Sequence, residues 1–376
     1  MYMDTINNRV QLPDGCPPLS SYYFYLTGGC NLACQHCWIT PTYQAHGDTG
    51  GHLDFDLFEL AIQEGLPLGL NHAKLTGGEP LLHPDFLRMI DLLKRHNISL
   101  TIETNGTLLD KQLAHYLKDK STLSVISVSI DGAIAETHDA FRGVKGSFEK
   151  ACQAVQYLVE EGYRPQVIMS IHKGNRGEIE ALVKLAENLG ASSVKLGMVQ
   201  ASGRGEKMAE RNLTLDFESL LDLGKWVDEY LQPQASIPLH YNWPPAFYPL
   251  KKLMKTNAFS CQIFNILGVL NTGHLAMCGI GSVIPELCYG KLGEDRVQDV
   301  WINNPLLLEL RQTLPDGYEG ICGQCIFLHR CLGTCVAQNY QYTKRLTAPY
   351  WFCQKANEIG RFPETRKKKA NIAKEI

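Results

Sequence analysis

Cysteine constrains this chain more than any other feature. There are 13 cysteines in 376 residues, and most fall in two groups with Cys-x2-Cys or Cys-x3-Cys spacings. A reducing cytosol disfavours disulfides, so such spacing in a chain without an export signal points to metal. The opening stretch MYMDTINNRVQLPDG has no basic-then-apolar secretory pattern. No apolar run approaches the ~20 residues that span a bilayer. A cytoplasmic protein without membrane attachment is therefore expected. With a net charge of −3 and 20% charged residues, the chain lacks the basic footprint of a general nucleic-acid binder. Its one dense cationic run is Arg366, Lys367, Lys368 and Lys369. A solvated tail is expected there, with an acidic partner as the alternative.

From about residue 22 to 200, apolar extended segments alternate with amphipathic helical ones. The strand candidates are Tyr22–Thr27, Ala73–Thr76, Ser99–Glu103, Val125–Ile130, Val167–Ile171 and Ser193–Val199. Helical stripes between them include Phe86/Met89/Ile90/Leu93, Phe148/Cys152/Val155/Val159 and Ile179/Leu182/Val183/Ala186. Strand-then-helix units in series predict an α/β fold with a parallel sheet or partial barrel. Residues 200–212 then read as a polar loop and 217–231 as a helix. Residues 237–248, rich in Pro and aromatics, exclude a regular helix. From Cys261 to Cys353 the chain turns irregular, apart from helical periodicity around Trp301–Leu310. The expected organisation is an N-terminal extension (1–21), a core (22–205), a bridging region (206–260), a cysteine-rich domain (261–353) and a basic tail (354–376).

The segment GGCNLACQHCW sets Cys30, Cys34 and Cys37 directly after the first strand. Three thiolates can hold three irons of a [4Fe–4S] cube and leave the fourth iron open to a small chelating ligand. Structural zinc is the alternative, but it wants four closed ligands. His36 is the available fourth, and it directly precedes Cys37.

Further residues extend the pattern. Trp38 follows the triad, Thr76-Gly77-Gly78-Glu79-Pro80 follows the second strand, and Glu103-Thr104-Asn105-Gly106 follows the third. Ser127-Val128-Ser129-Ile130-Asp131-Gly132 ends the fourth, with His138-Asp139 and Arg142-Gly143 shortly after. Taken together, residues 22–200 resemble the radical S-adenosylmethionine (SAM) superfamily. The resemblance implies a partial (β/α)6 TIM-like barrel. It implies a SAM-binding [4Fe–4S] cluster on Cys30, Cys34 and Cys37, and SAM contacts among Trp38, Gly77, Gly78, Glu79, Thr104, Asn105, Ser129, Asp131 and Arg142. It also implies the chemistry: SAM cleavage to a 5′-deoxyadenosyl radical that abstracts hydrogen from an unactivated C–H bond. Independently, each motif falls where a strand ends, which is where parallel α/β barrels bind ligands.

The second group runs Cys261, Gly273, Cys278, then Cys322-x2-Cys325-x5-Cys331-x3-Cys335 and Cys353. It resembles the SPASM pattern carried after the barrel by radical SAM peptide and protein maturases. The resemblance implies two auxiliary [4Fe–4S] clusters, three clusters in all. Cys322, Cys325, Cys331 and Cys353 would hold one. Cys261, Cys278 and Cys335 would hold the other, with Cys288 as fourth ligand or one iron open to substrate. Cys16 sits in a Pro-rich loop, and Cys152 is expected to be core packing.

These resemblances imply an oxidoreductase that modifies a ribosomally synthesised precursor peptide (a RiPP maturase). Cyclophane-type C–C crosslinking is favoured, over backbone splicing or excision and C–S thioether formation. Sulfatase maturases share the architecture but place an aspartate where this chain has Gly279. A non-enzymatic iron–sulfur electron carrier is the remaining class. The 21 residues before the first strand are too few for the sheet of a leader-binding domain, so a separate recognition protein is expected. An external electron donor such as flavodoxin or ferredoxin completes the expected partners.

Overall fold

The computed structural model describes residues 10–46, 48–241, 243–254 and 261–368. Lys369, residues 1–9 of the N-terminal extension and residues 255–260 of the bridging region lie outside these. The chain forms two compact units: residues 1–242 with 265–304, and residues 243–264 with 305–376.

The first unit is built on strands β1 (Ser21–Tyr25), β2 (His72–Thr76), β3 (Ser99–Thr104), β4 (Leu123–Ser129), β5 (Gln166–Ile171) and β6 (Ser193–Met198). These are the six strands expected from the alternating pattern. Four more join the sheet: β7 (Leu239–Tyr241), β8 (Ile266–Val269), β9 (His274–Ala276) and β10 (Cys288–Lys291). Strand order is β10-β9-β8-β1-β2-β3-β4-β5-β6-β7, parallel from β8 through β7, with β9 and β10 antiparallel at one edge. Residues 265–304, expected with the cysteine-rich domain, thus hydrogen-bond onto the barrel sheet. Val269 pairs with Phe24, for example.

Helices α1 (Phe55–Gly65), α2 (Phe86–Arg95), α3 (Lys111–Lys120), α4 (Ala135–Arg142), α5 (Ser147–Glu160) and α6 (Ile179–Asn188) connect the strands. Asp54 and Asp110 cap the amides that α1 and α3 leave unpaired at their starts, worth about 1 kcal/mol each. The expected stripes of α2 and α6 are buried. In α5 the buried face is rotated to Ala151, Ala154, Val155 and Leu158, with Phe148, Cys152 and Val159 at its flanks. The alanines let α5 approach Gly106, where a Cβ would lie 3.1 Å from Ala154.

Strand residues alternate between two environments. Tyr22, Phe24, Ala73, Leu75, Leu100, Ile102, Val194 and Leu196 are fully buried; the Phe24 ring, for example, lies 4.4 Å from Phe58 of α1. Tyr23, Lys74, Glu103 and Lys195 point the other way, into the barrel lumen.

The loop expected at residues 200–212 contains a helix, Arg204–Glu210, whose few turns are too short to show periodicity. The stretch after Cys261 likewise holds short helices at Gly320–Gln324, Leu328–Cys331, Val336–Thr343 and Trp351–Glu358. In the second unit Trp243, Phe247, Phe352 and Phe362 form an aromatic core, with ring centroids 4.9–5.8 Å apart. The backbone of Arg366–Lys368 is strapped against residues 323–326, with Lys368 exposed. Ile326 N donates to Arg366 O at 2.9 Å and Lys368 N to Gln324 O at 2.7 Å. Among the described residues no helix is long and apolar enough to cross a membrane.

Candidate active site

Cys30 ends a two-residue strand, Gly29–Cys30, that pairs with Thr42–Tyr43 just beyond the C-terminal end of β1. Cys30, Leu32 and Cys34 form a buried cluster, with Cys37 and Val144 packed on it. The triad is therefore brought together. Burial, Glu79 and the neighbouring cysteines together push the Cys30 thiol up to about 12, and burial with Cys34 pushes Cys37 up to about 11. Thiols so desolvated ionise readily only when a cation shares the site, which is the behaviour of a metal donor set.

Donors already aim at these sulfurs. Leu32 N lies 3.4 Å and Asn105 Nδ2 3.8 Å from Cys30 Sγ, and Arg142 Nη1 lies 3.6 Å from Cys34 Sγ. Asn105 is held in turn by Asn31 Oδ1 at 2.9 Å and through its own amide, which donates to Glu79 Oε2 at 2.8 Å. The buried Glu79 carboxylate also accepts from Thr104 Oγ1 at 2.6 Å and Leu81 N at 3.2 Å. Burial raises Glu79 to about 7 against these hydrogen bonds. Arg142 is held by Asp131, with Nε to Oδ2 at 2.6 Å and both side chains buried. Asp131 Oδ1 accepts from Ser170 N at 2.7 Å. Burial pushes the Asp131 carboxyl up, but Arg142, His36 and His138 outweigh it and hold it below the usual range.

The glycines of the Gly-Gly-Glu-Pro segment serve a backbone contact. A Cβ on Gly78 would sit 1.8 Å from Gly29 O, and Gly77 adopts φ 135°. Gly78 N donates to Thr27 O and Glu79 N to Gly29 O, so the motif braces the cysteine loop directly. The end of α4 braces its other side: Ala33 N donates to Arg142 O and Gln35 N to Phe141 O, both at 3.0 Å.

His36 stacks on Phe141 at 4.4 Å, and burial lowers it to about 4. It is a neutral ring stacked on Phe141, with Asp131, Arg142, His172 and Arg204 near enough to act on it. Among the described residues no three or more His, Cys, Asp or Glu side chains converge on a single metal ion. A four-iron cube spreads its ligands over separate corners and needs no such convergence. The donor sets here fit the cube better than zinc.

Trp38 meets Tyr25 edge-on at 6.1 Å, in an apolar cluster with Leu270, Ala276, Tyr23 and Cys288. Ser129 lies partly exposed at the end of β4. Gly279 packs under Tyr25, and a Cβ there would lie 2.2 Å from the ring. Cys278 lies close enough for its charge to raise Tyr25, after burial. Cys288 Sγ donates to Gly281 O at 3.6 Å.

Sequence reasoning missed Arg204. Its Nη1 donates to Cys34 O at 3.0 Å, its amide to Cys37 O at 3.0 Å, and its Nη2 to Pro41 O. Nothing in a polar segment marks a residue that clamps a loop over 160 positions away.

In the second unit Cys322, Cys325, Cys331 and Cys353 line one small cavity, with Tyr350 and Phe327 beside them. Tyr350 N lies 3.3 Å from Cys322 Sγ and Phe327 N lies 3.4 Å from Cys325 Sγ. Burial raises Cys353, and Cys322, Cys331 and Cys325 raise it further, as four adjoining sulfurs would. Cys335 is not among the lining residues and starts the helix Val336–Thr343. Cys261 belongs to this unit, whereas Cys278 and Cys288 belong to the barrel unit.

Residues 24–186 match the radical SAM superfamily. The AdoMet-dependent heme synthase of Methanosarcina barkeri is 30% identical over 85% of this chain and 91% of its own. The mycofactocin maturase MftC of Mycobacterium tuberculosis is 27% identical over 84% of this chain and 78% of its own. The fold is similar to Streptococcus suis SuiB, solved bound to its precursor peptide SuiA, with a TM-score of 0.69 at 16% identity over 90% of this chain and 76% of SuiB. The buried triad, its sulfur donors and these likenesses lead to one conclusion: the chain belongs to the radical SAM superfamily, whose members use SAM and a [4Fe–4S] cluster.

Proposed function

We propose that this enzyme is a SPASM-type maturase that modifies a precursor peptide, with C–C crosslinking as the favoured reaction. The observation that carries the reading is the second donor set, Cys322, Cys325, Cys331 and Cys353 around one cavity. It is what a peptide maturase adds to a radical SAM barrel, and the likenesses to MftC and SuiB support it. Gly279 disfavours sulfatase-type oxidation, since a side chain there would collide with Tyr25.

When bound, the cluster and SAM supply a 5′-deoxyadenosyl radical that takes hydrogen from an unactivated C–H bond. The protein's part is placement. Asn105 and the Leu32 amide orient the Cys30 sulfur; Arg142, fixed by Asp131, orients that of Cys34. Glu79, Thr104, Asn105, Asp131 and Arg142 are engaged with one another or with the cysteines. Their expected role in SAM binding is therefore support from behind. Trp38, Ser129 and the carbonyls of Gly77 and Gly78 are the groups left to face SAM. The Trp38–Tyr25–Leu270 cluster supplies an apolar wall that excludes water.

A second reading rests on the heme synthase at 30% identity: a porphyrin substrate in place of a peptide. One experiment separates them. Anaerobically reconstituted enzyme receives SAM, reductant and an external electron donor. It is then given either a candidate precursor peptide or an iron porphyrin precursor of heme. Peptide-stimulated 5′-deoxyadenosine, with loss of two hydrogens from the peptide by mass spectrometry, is expected. Stimulation by the porphyrin alone refutes the maturase reading.

A further inference from the structure

The barrel lumen carries three charged side chains besides the cysteines, and Cys278 lies near enough to Lys74 to act on it. Lys74 of β2 and Glu103 of β3 form an ion pair at 2.8 Å, and Lys74 Nζ lies 4.9 Å over the Tyr23 ring of β1. Lys195 of β6 faces the same space, near enough to both for their charges to shift it. These residues alternate with the fully buried Ala73, Leu75, Ile102, Val194 and Leu196 on the opposite sheet face. The side chains of Lys74 and Glu103 nevertheless keep 17% and 27% exposure. On strands flanked on both sides, such exposure comes from open space inside the barrel. The lumen is therefore a polar chamber, unlike the filled interior of an ordinary eight-stranded barrel.

The charges in this chamber do not balance. Lys74 and Lys195 are cations and Glu103 is the single anion of the set. Glu103 is hydrogen-bonded to Lys74, and among the described residues no carboxylate forms an ion pair with Lys195. Burial lowers Lys195, the neighbouring Lys74 adds to that, and Glu103 opposes it. A desolvated ammonium without a counter-ion is costly, and an incoming anion relieves that cost.

We propose that Lys195, backed by the Lys74–Glu103 pair, binds a carboxylate of the substrate within the lumen. The inference deepens the function proposed above and rests on the lumen being where substrate meets SAM. Lys195 sets specificity: it selects a substrate whose reacting part carries a carboxylate nearby. Asp or Glu side chains, a peptide C-terminus and a porphyrin propionate all supply that group.

The test uses reconstituted holoenzyme with SAM bound and reads ligand binding by saturation-transfer NMR, without turnover. The probes are acetyl-glutamate amide, acetyl-alanine and hemin, with acetyl-glutamine amide as the uncharged control. At least one carboxylate should bind to wild type. It should bind about tenfold more weakly to Lys195→Met, the loss expected for one charged hydrogen bond. Lys195→Arg should restore it. Glu103→Gln should tighten it, because no carboxylate of the trio then offsets Lys74 and Lys195, and a merely structural role for Glu103 predicts no such gain. The probe that depends on Lys195 names the source of the carboxylate. Equal binding to wild type and Lys195→Met overturns the proposal, as does loss of SAM affinity in Lys195→Met, which would give the cation to SAM's own carboxylate. Because no turnover is measured, failure of the crosslinking assay leaves this result standing, and the reverse also holds.

Discussion

Replacing Asp131 by Asn tests the central claim that a buried ion pair positions the cysteine triad. Asn keeps the shape and can still accept from Ser170 N, but it cannot balance the Arg142 guanidinium 2.6 Å away. Both side chains are at least nine-tenths buried, so solvent does not screen the loss. Removing one partner of such a pair costs about 3–5 kcal/mol, because the other charge is left stranded. Arg142→Met should cost as much from the other side. The double variant, with neither charge, should be more stable than the sum of the singles predicts, giving a coupling of roughly 2 kcal/mol or more.

Urea unfolding of the cluster-free protein measures all three. pH supplies an independent check. The folded Asp131 carboxyl lies below its ordinary range. Its contribution is therefore fully present above the unfolded value near pH ~4 and is lost as pH falls through the depressed one. Asp131→Asn should abolish that acid-limb slope. In the iron-loaded protein, Arg142→Met should also lower the potential of the triad's cluster, since a cationic donor to sulfur is lost. Single-variant losses below about 1 kcal/mol, or strictly additive losses, would refute the positioning argument.

Further outcomes are expected. Serine at Cys322, Cys325, Cys331 and Cys353 should remove about four irons per chain while reductive SAM cleavage persists; iron analysis and 5′-deoxyadenosine yield check this. Gly279→Asp should lower stability by roughly 1–3 kcal/mol through overpacking against Tyr25, without conferring cysteine-to-formylglycine activity, as thermal melts and peptide assays would report. Combined Arg366→Ala and Lys368→Ala should lower the potential of the cluster beside Cys325, because both cations favour a thiolate there. An unchanged midpoint in an EPR-monitored titration would make the strap purely structural.

The barrel was legible because its signal is local. Six strands alternate with helices, and each chemical motif follows a strand end. The strands β7 to β10 were not legible. They run three or four residues, and their pairing with β1 and β6 is set by partners far along the chain. Short helices after Cys261 were hidden for the same reason, since a four-residue helix such as Leu328–Cys331 completes barely one turn. The stripe on α5 was misplaced because size, not hydropathy, decided it. Ala151 and Ala154 face the sheet where Gly106 leaves room only for small neighbours.

The site divides along the same line. The cysteines were found by spacing, and spacing is a property of neighbours in sequence. What holds their sulfurs is not. Asn105 reaches Cys30 across 75 positions, Arg142 reaches Cys34 across 108, and Arg204 reaches the Cys34 carbonyl across 170. In sequence, Asn105 stands as an implied SAM contact and Arg204 as part of a polar loop. Glu79 and Gly78 were placed at the right strand end, yet the contact that constrains Gly78 is the Gly29 carbonyl. A motif beside a ligand site can serve it twice, through the groups it presents to the ligand and through the loop it shapes. That distinction follows from which hydrogen-bonding groups are already satisfied, and only three-dimensional neighbours reveal it. The same test singles out Lys195, whose sequence context is a plain strand, since its charge alone among the lumen trio lacks an ion-pair partner among the described residues.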